Sequence, residues 1–246
     1  MTTTEAHGDA ALRMPPRGLF VTGTDTDCGK TYVACGIVRV LRQTGLRVGV
    51  YKPVASGCSA DRPKDHDGWR LWDAAGRPGR LEDVCPQTFT APLAPHLAAR
   101  AEGREVDERR LIEGISAWSA WDLVVVEGVG GLMSPVSDNL YVADLAAEFR
   151  LPLVVVVRDR LGAINQTLQT LITATTFCDG LNVAGMVLNT ATPDAAATAA
   201  LGTVAELRTR CVPPLLAQVG WEDPSALETV DWLSLAIPAN GGEHTS

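Results

Sequence analysis

The run Phe20, Val21, Thr22, Gly23, Thr24, Asp25, Thr26, Asp27, Cys28, Gly29, Lys30, Thr31 decides how the rest of the chain is read. It passes from an apolar strand end through a loop of small and polar residues to Gly-Lys-Thr. Such a segment is a phosphate-binding loop. Gly29 lets backbone N–H groups face an anion, Lys30 brings a point charge, and Thr31 offers a hydroxyl to magnesium. The spacing is a variant. The usual pattern of Gly, four residues, then Gly-Lys-Ser/Thr puts Thr24 at the first position, with Gly23 one residue earlier. The chain holds three lysines (Lys30, Lys52, Lys64) among 21 basic residues, so composition does not explain a lysine in this slot. A nucleoside triphosphate is the expected ligand.

Working outward, Val33, Ile37, Val40 and Leu41 repeat at helical spacing, and the pattern predicts a helix over 29–44 that stops at Gly45. Val48 to Val50 reads as a buried strand that Pro53 ends, since proline cannot donate in a ladder. Residues 55–105, rich in Pro, Gly and charge, are expected to form loops and short helices that handle substrate. Leu123 to Val126 and Leu153 to Val157 are continuous apolar runs of the kind found in central parallel strands. Further strands are expected at 183–188 and 215–219, with helices over 107–118, 142–149, 163–177 and 195–209. Strand and helix alternate, which predicts an α/β fold: a single domain with a mostly parallel sheet and helices on both faces. In such sheets ligands bind beyond the carboxyl ends of the strands, where Lys30, Lys52, Glu127 and Asn189 fall.

A chain of 246 residues, 46% of them hydrophobic, can bury most of its unfolded surface in one core. We expect one domain over 17–238, a disordered N-terminal arm over 1–16 and a flexible tail over 239–246. A net charge of −8 with no basic face argues against a nucleic-acid partner. The six cysteines form no Cys-x-x-Cys pair and no zinc-type spacing with histidine. Residues 1–16 lack the apolar core of a signal peptide. No apolar stretch approaches the ~20 residues of a membrane span. Free thiols, a cytoplasmic location and no membrane partner are expected.

Phosphoryl transfer needs charge neutralisation and a fixed metal, hence lysines and strand-end carboxylates around the loop. Glu127 ends an apolar strand and precedes Gly128, Val129, Gly130 and Gly131, which suits a carboxylate held over magnesium with backbone close to the ligand. Lys52, with Ser56 and Gly57 shortly after it, is placed to face an anionic substrate. Asp65 and Asp67 flank His66 in a polar loop, and either could serve the metal. Gly162 to Asn165 opens a helix just after a strand, and its free N–H groups could take a carboxylate.

Five segments occur here in the order seen in dethiobiotin synthetases: the loop, Lys-Pro-Val-Ala-Ser-Gly (Lys52 to Gly57), Thr-Phe-Thr-Ala-Pro-Leu-Ala-Pro-His (Thr88 to His96), Val-Glu-Gly-Val-Gly-Gly (Val126 to Gly131) and Leu-Gly-Ala-Ile-Asn (Leu161 to Asn165). The chain resembles that family over roughly residues 18–221. The resemblance implies an ATP- and magnesium-dependent ring closure. A carbamate formed from 7,8-diaminopelargonate and carbon dioxide (or bicarbonate) takes the γ-phosphate, and the second amine displaces phosphate to give dethiobiotin.

Carried over by motif, Lys30 and Thr31 would hold phosphate and magnesium, Lys52 would stabilise the carbamate and the phosphoryl group in flight, and Asp27 would stand beside diamine and nucleotide. Lys52, Lys30 and Asp27 are thus the implied catalytic residues. Asp67 and Glu127 would complete the magnesium site with Thr31. Cys28, Gly29, Tyr32, Gly128, Val129, Gly130, Asn189, Gly220 and Trp221 would surround the nucleotide, Asn189 at the adenine edge. Thr26 and Ser56 would contact the substrate. Gly162, Ala163, Ile164 and Asn165 would receive its carboxylate in the other subunit of a homodimer with a shared active site. The chain departs from the family at Cys28, commonly valine, at Gly220, commonly proline, and over 190–210, which lacks a tyrosine some members use.

Two other readings fit a phosphate-binding loop. Partitioning and septum-positioning ATPases carry a signature lysine five residues before the loop lysine, where this chain has Asp25, and often end in a basic amphipathic helix, whereas 230–246 hold no Lys or Arg. An inactive relative kept as a binding module would have no need of Lys30, Thr31, Lys52 and Glu127 together.

Overall fold

The computed structural model describes residues 12–59, 61–192 and 202–237. A six-stranded, all-parallel sheet runs in the order β2-β5-β1-β6-β7-β8, with β1 at Gly18–Gly23, β2 at Val48–Tyr51, β5 at Leu123–Glu127, β6 at Leu153–Arg158, β7 at Val183–Asn189 and β8 at Leu215–Val219. Every residue of β1, β2 and β5 is buried, as both faces of a parallel sheet require. Helices α1 (Lys30–Gln43), α6 (Val142–Phe149) and α7 (Ala163–Thr176) provide the cover. Phe149 of α6 packs its ring 6.3 Å from Phe20 of β1 and 6.2 Å from Tyr51 of β2, and burial of each such ring contributes about 1.5–3 kcal/mol.

Register places the chemistry. Tyr51 lies opposite Val126, so Lys52 comes level with Glu127, while Val21 lies opposite Glu127, so the loop after Gly23 begins just above that carboxylate. The Tyr51 hydroxyl donates to the Leu111 carbonyl at 2.7 Å, which pins the end of β2 to the segment behind it.

The expected strands and the helices at 29–44, 142–149 and 163–177 are present within a residue or two. The helix expected over 107–118 is α5 (Glu108–Glu113) followed by a 3-10 turn, Gly114–Trp118, and Gly114 sits where any Cβ would meet the Tyr51 hydroxyl. Residues 55–105 hold the short helices α2 (Asp67–Ala74), α3 (Leu81–Val84) and α4 (Pro95–Ala101). They also carry most of an unanticipated two-stranded parallel pair, β3 (Val54–Ala55) with β4 (Gln87–Thr88), too short for any periodicity to reveal. Past β8, a 3-10 turn Ser225–Thr229 and a helix Trp232–Leu235 fold back unannounced by the sequence. The Trp232 indole donates to the Leu227 carbonyl at 2.8 Å, and the Gly18 amide to that of Ala236 at 2.9 Å.

Of the helix expected at 195–209, the described part is Thr203–Arg210, the rest lying outside the described residues together with 1–11 of the expected arm and the expected tail. Leu12 and Met14 of that arm pack on the core. The six cysteines are unpaired. No helix among the described residues is long and apolar enough to cross a membrane.

Candidate active site

The loop between β1 and α1 is set by two glycines. Gly29 has φ +90°, and a Cβ there would run into the Asn189 side chain, whose amide donates to the Cys28 carbonyl at 2.9 Å. A Cβ on Gly23 would meet the Cys28 sulfur. The loop therefore closes tightly on a core of Cys28 and Asn189, with Thr26 and Asp27 exposed and the Thr24 hydroxyl buried without a partner among the described residues. Lys30 curls back to donate to the Asp25 carbonyl at 2.9 Å. Asp25 is a hub. One carboxylate oxygen accepts the Thr26 amide at 2.8 Å, and the other takes Arg160 at 3.0 Å and Gln166 at 3.2 Å, tying the loop to the start of α7.

Facing the loop, Lys52 is buried with its ammonium on three acceptors: Glu127 Oε1 at 2.7 Å, the Gly128 carbonyl at 2.9 Å and Asp67 Oδ2 at 3.2 Å. Burial alone would lower the Lys52 pKa, but the charges of Glu127 and Asp67 and their hydrogen bonds outweigh it and hold the ammonium protonated above its ordinary value. Burial pushes the Glu127 carboxyl up against the pull of Lys52. At Asp67 burial is overcome by the charge of Lys52 and its hydrogen bond, leaving that carboxyl below its usual range. Thr31 donates to Glu127 Oε1 at 2.7 Å. Glu127 Oε2 is buried without a hydrogen-bond partner among the described residues, a costly state unless something binds it.

These groups share a cleft of about 700 Å³. Thr26, Asp27, Gly29, Lys30, Thr31 and Tyr32 supply one wall. Lys52, Ser56, Asp67, Glu127, Val129 and Gly130 line the cleft as well. Asp67 opens α2 and lines the cleft, while Asp65 sits in an exposed 3-10 turn beside Arg62.

A family model described as an AAA domain matches residues 17–229. The chain is 42% identical to the ATP-dependent dethiobiotin synthetase BioD of Rhodopirellula baltica over 81% of its own length and 82% of that protein's. It is 49% identical to the protein of the same name from Anaeromyxobacter dehalogenans, covering 72% of this chain and 78% of that one. The chain belongs to the dethiobiotin synthetase family. In fold alone it also resembles a ParA family ATPase of Chlorobium tepidum (TM-score 0.51, 16% identity, 89% of this chain and 92% of that one). The signal recognition particle receptor FtsY of Elizabethkingia anophelis is similar at TM-score 0.51, 15% identity, 86% of this chain and 61% of that one. The parallel-sheet P-loop architecture expected from the sequence is thus shared with both.

Within this dethiobiotin synthetase family member, not every motif residue lines the cleft. Cys28 and Asn189 lie beneath the loop, buried, and the Gly128 carbonyl is occupied by Lys52. Gly220 and Trp221 follow β8, and Trp221 is exposed. Gly162, Ala163, Ile164 and Asn165 line a separate cavity with Arg160 and Thr203, outside the phosphate cleft of the same chain. The residues that sequence reading missed are Arg70 and Ser134, which line the cleft, and Arg160 and Gln166, which hold Asp25. Arg70 falls three positions after Asp67, so fixing the helix start at Asp67 would have placed both on one face.

Proposed function

We propose that this chain converts 7,8-diaminopelargonate, carbon dioxide and ATP to dethiobiotin, ADP and phosphate, a step of biotin synthesis, through the cleft above the phosphate-binding loop. The observation that carries the reading is Lys52. A buried ammonium held by two carboxylates at the mouth of a phosphate-binding loop is suited to a ligand that is itself anionic and bridges toward the γ-phosphate. A carbamate is such a ligand. In the first step a carbamate oxygen attacks the γ-phosphorus, the bond to the β-phosphate oxygen breaks, and ADP leaves. In the second the free amine attacks the carbonyl carbon, phosphate leaves, and the amine proton is released with closure of the urea ring. Lys30 and Lys52 offset charge that spreads over the transferring oxygens, a task of position and electrostatics.

The donor set fits magnesium. No cluster of three or more His, Cys, Asp or Glu side chains suited to a metal occurs among the described residues. Glu127 with its unpartnered oxygen, Asp67 and the Thr31 hydroxyl are hard oxygen donors too few to encage an ion, and magnesium is commonly held by one or two carboxylates while keeping water and substrate phosphates. When bound it would neutralise β- and γ-phosphate charge.

The carboxylate anchor at Gly162 to Asn165 lies in a cavity apart from the chain's own cleft, which supports its use by a partner's substrate in a homodimer. Gly162 has φ +94°, which strains any L side chain although the space around a Cβ is open, and Asp and Asn carry that strain alike, so the pair isolates the charge. Gly162→Asp should raise the diamine KM about tenfold or more at unchanged ATP KM through repulsion and loss of the helix-end field, with Gly162→Asn near wild type. Equal diamine KM in both variants would remove the anchor. Mass spectrometry of a mixture of the protein, magnesium ATP, bicarbonate and the diamine tests the function itself: dethiobiotin must accumulate, and its absence would refute the reading.

A further inference from the structure

Six charged side chains line the cleft: Asp27, Lys30, Lys52, Asp67, Arg70 and Glu127. Two of the three cations contact protein acceptors, which ligand oxygens would join or replace on the reading above. Lys30 is bonded to the Asp25 carbonyl, and all three N–H groups of Lys52 have acceptors. Arg70 differs. It stands one turn beyond Asp67 on α2, is exposed, and among the described residues its guanidinium has neither an ion pair nor a hydrogen bond. Helix α2 packs against α1, and Arg70 lines the same cleft as Thr31 at the head of α1. A triphosphate entering here meets three carboxylates whose charge the two lysines do not cancel. A planar guanidinium with paired N–H groups matches two phosphoryl oxygens, where an ammonium acts as a point charge.

We propose that Arg70 is a phosphate-binding residue that pairs with the terminal phosphoryl group of the bound nucleoside triphosphate. Its place one turn after Asp67 on α2, rather than at the β7 and β8 ends where Asn189 and Trp221 lie, directs it to the end of the triphosphate where the metal donors converge. This rests on the reading of the cleft as an ATP site. Arg70 would act on the triphosphate and not on the diphosphate, because the group it holds is the one transferred.

The test is calorimetric titration, with magnesium, of wild type, Arg70→Gln and Arg70→Lys with a non-hydrolysable ATP analogue and separately with ADP. Arg70→Gln should weaken the analogue about tenfold or more and leave ADP within about twofold, with Arg70→Lys between. Thermal unfolding of the three proteins should coincide, since the side chain is exposed and holds no partner among the described residues. A loss shared equally by analogue and ADP, or no loss, overturns the proposal while the ATP-site reading stands on the wild-type titration. Wild type binding neither nucleotide overturns that reading and this proposal with it.

Discussion

Lys52→Gln loses dethiobiotin formation by roughly 10²-fold or more while still binding ATP, because the charge it supplies is used mainly once the carbamate exists and the phosphoryl group is in flight. The structure adds a second consequence. Lys52 is the counter-charge of Glu127, which is fully buried, and of Asp67. Removing one partner of a buried ion pair typically costs about 3–5 kcal/mol because the other is left uncompensated. The single variant should therefore unfold at a lower temperature than wild type. In the double variant Lys52→Gln with Glu127→Gln the buried charge is gone, and most of that stability should return while the activity does not. Thermal unfolding of the three proteins reads the structural role, and product formation by Lys52→Gln at a temperature where it stays folded reads the catalytic one. Wild-type turnover by folded Lys52→Gln would show Lys52 to be structural only.

Lys30→Ala should lower turnover by on the order of 10²-fold or more, about 3 kcal/mol in the barrier, with stability close to wild type. Its polar contacts among the described residues are the Asp25 carbonyl and the Cys28 sulfur, and loop closure on Cys28 and Asn189 does not depend on it. Steady-state turnover and unfolding temperature check this. Near wild-type turnover would withdraw the phosphate-loop role of Lys30.

Much of the architecture was legible because parallel strands buried on both faces write themselves as unbroken apolar runs. Leu123 to Val126 and Leu153 to Val157 are such runs, and each became a strand flanking β1. The carboxyl-end rule then placed Lys30, Lys52 and Glu127 together before any contact was known. What it could not give was pairing. That Lys52 and Glu127 are bonded depends on the register of β2 on β5, which leaves no mark in either segment alone. Residue type alone did not distinguish Asp67 from Asp65, since both sit in one polar stretch, and only the family resemblance favoured Asp67. The start of α2 at Asp67 separates them, and that start has no side-chain cap to announce it. The pair β3 with β4 and the C-terminal return through Trp232 escaped for a related reason, since elements of two to five residues show no period. Arg160 and Gln166 were missed because their partner, Asp25, is far away in sequence and close only once α7 is seated beside the loop.

The central claim is that phosphoryl transfer in this cleft awaits a carbamate. ADP release from magnesium ATP and bicarbonate, followed with and without 7,8-diaminopelargonate, tests it most directly. The account predicts ADP release that rises with the diamine and matches dethiobiotin formed mole for mole, with little release in its absence. ADP release at the same rate with or without the diamine, and no dethiobiotin, would contradict it.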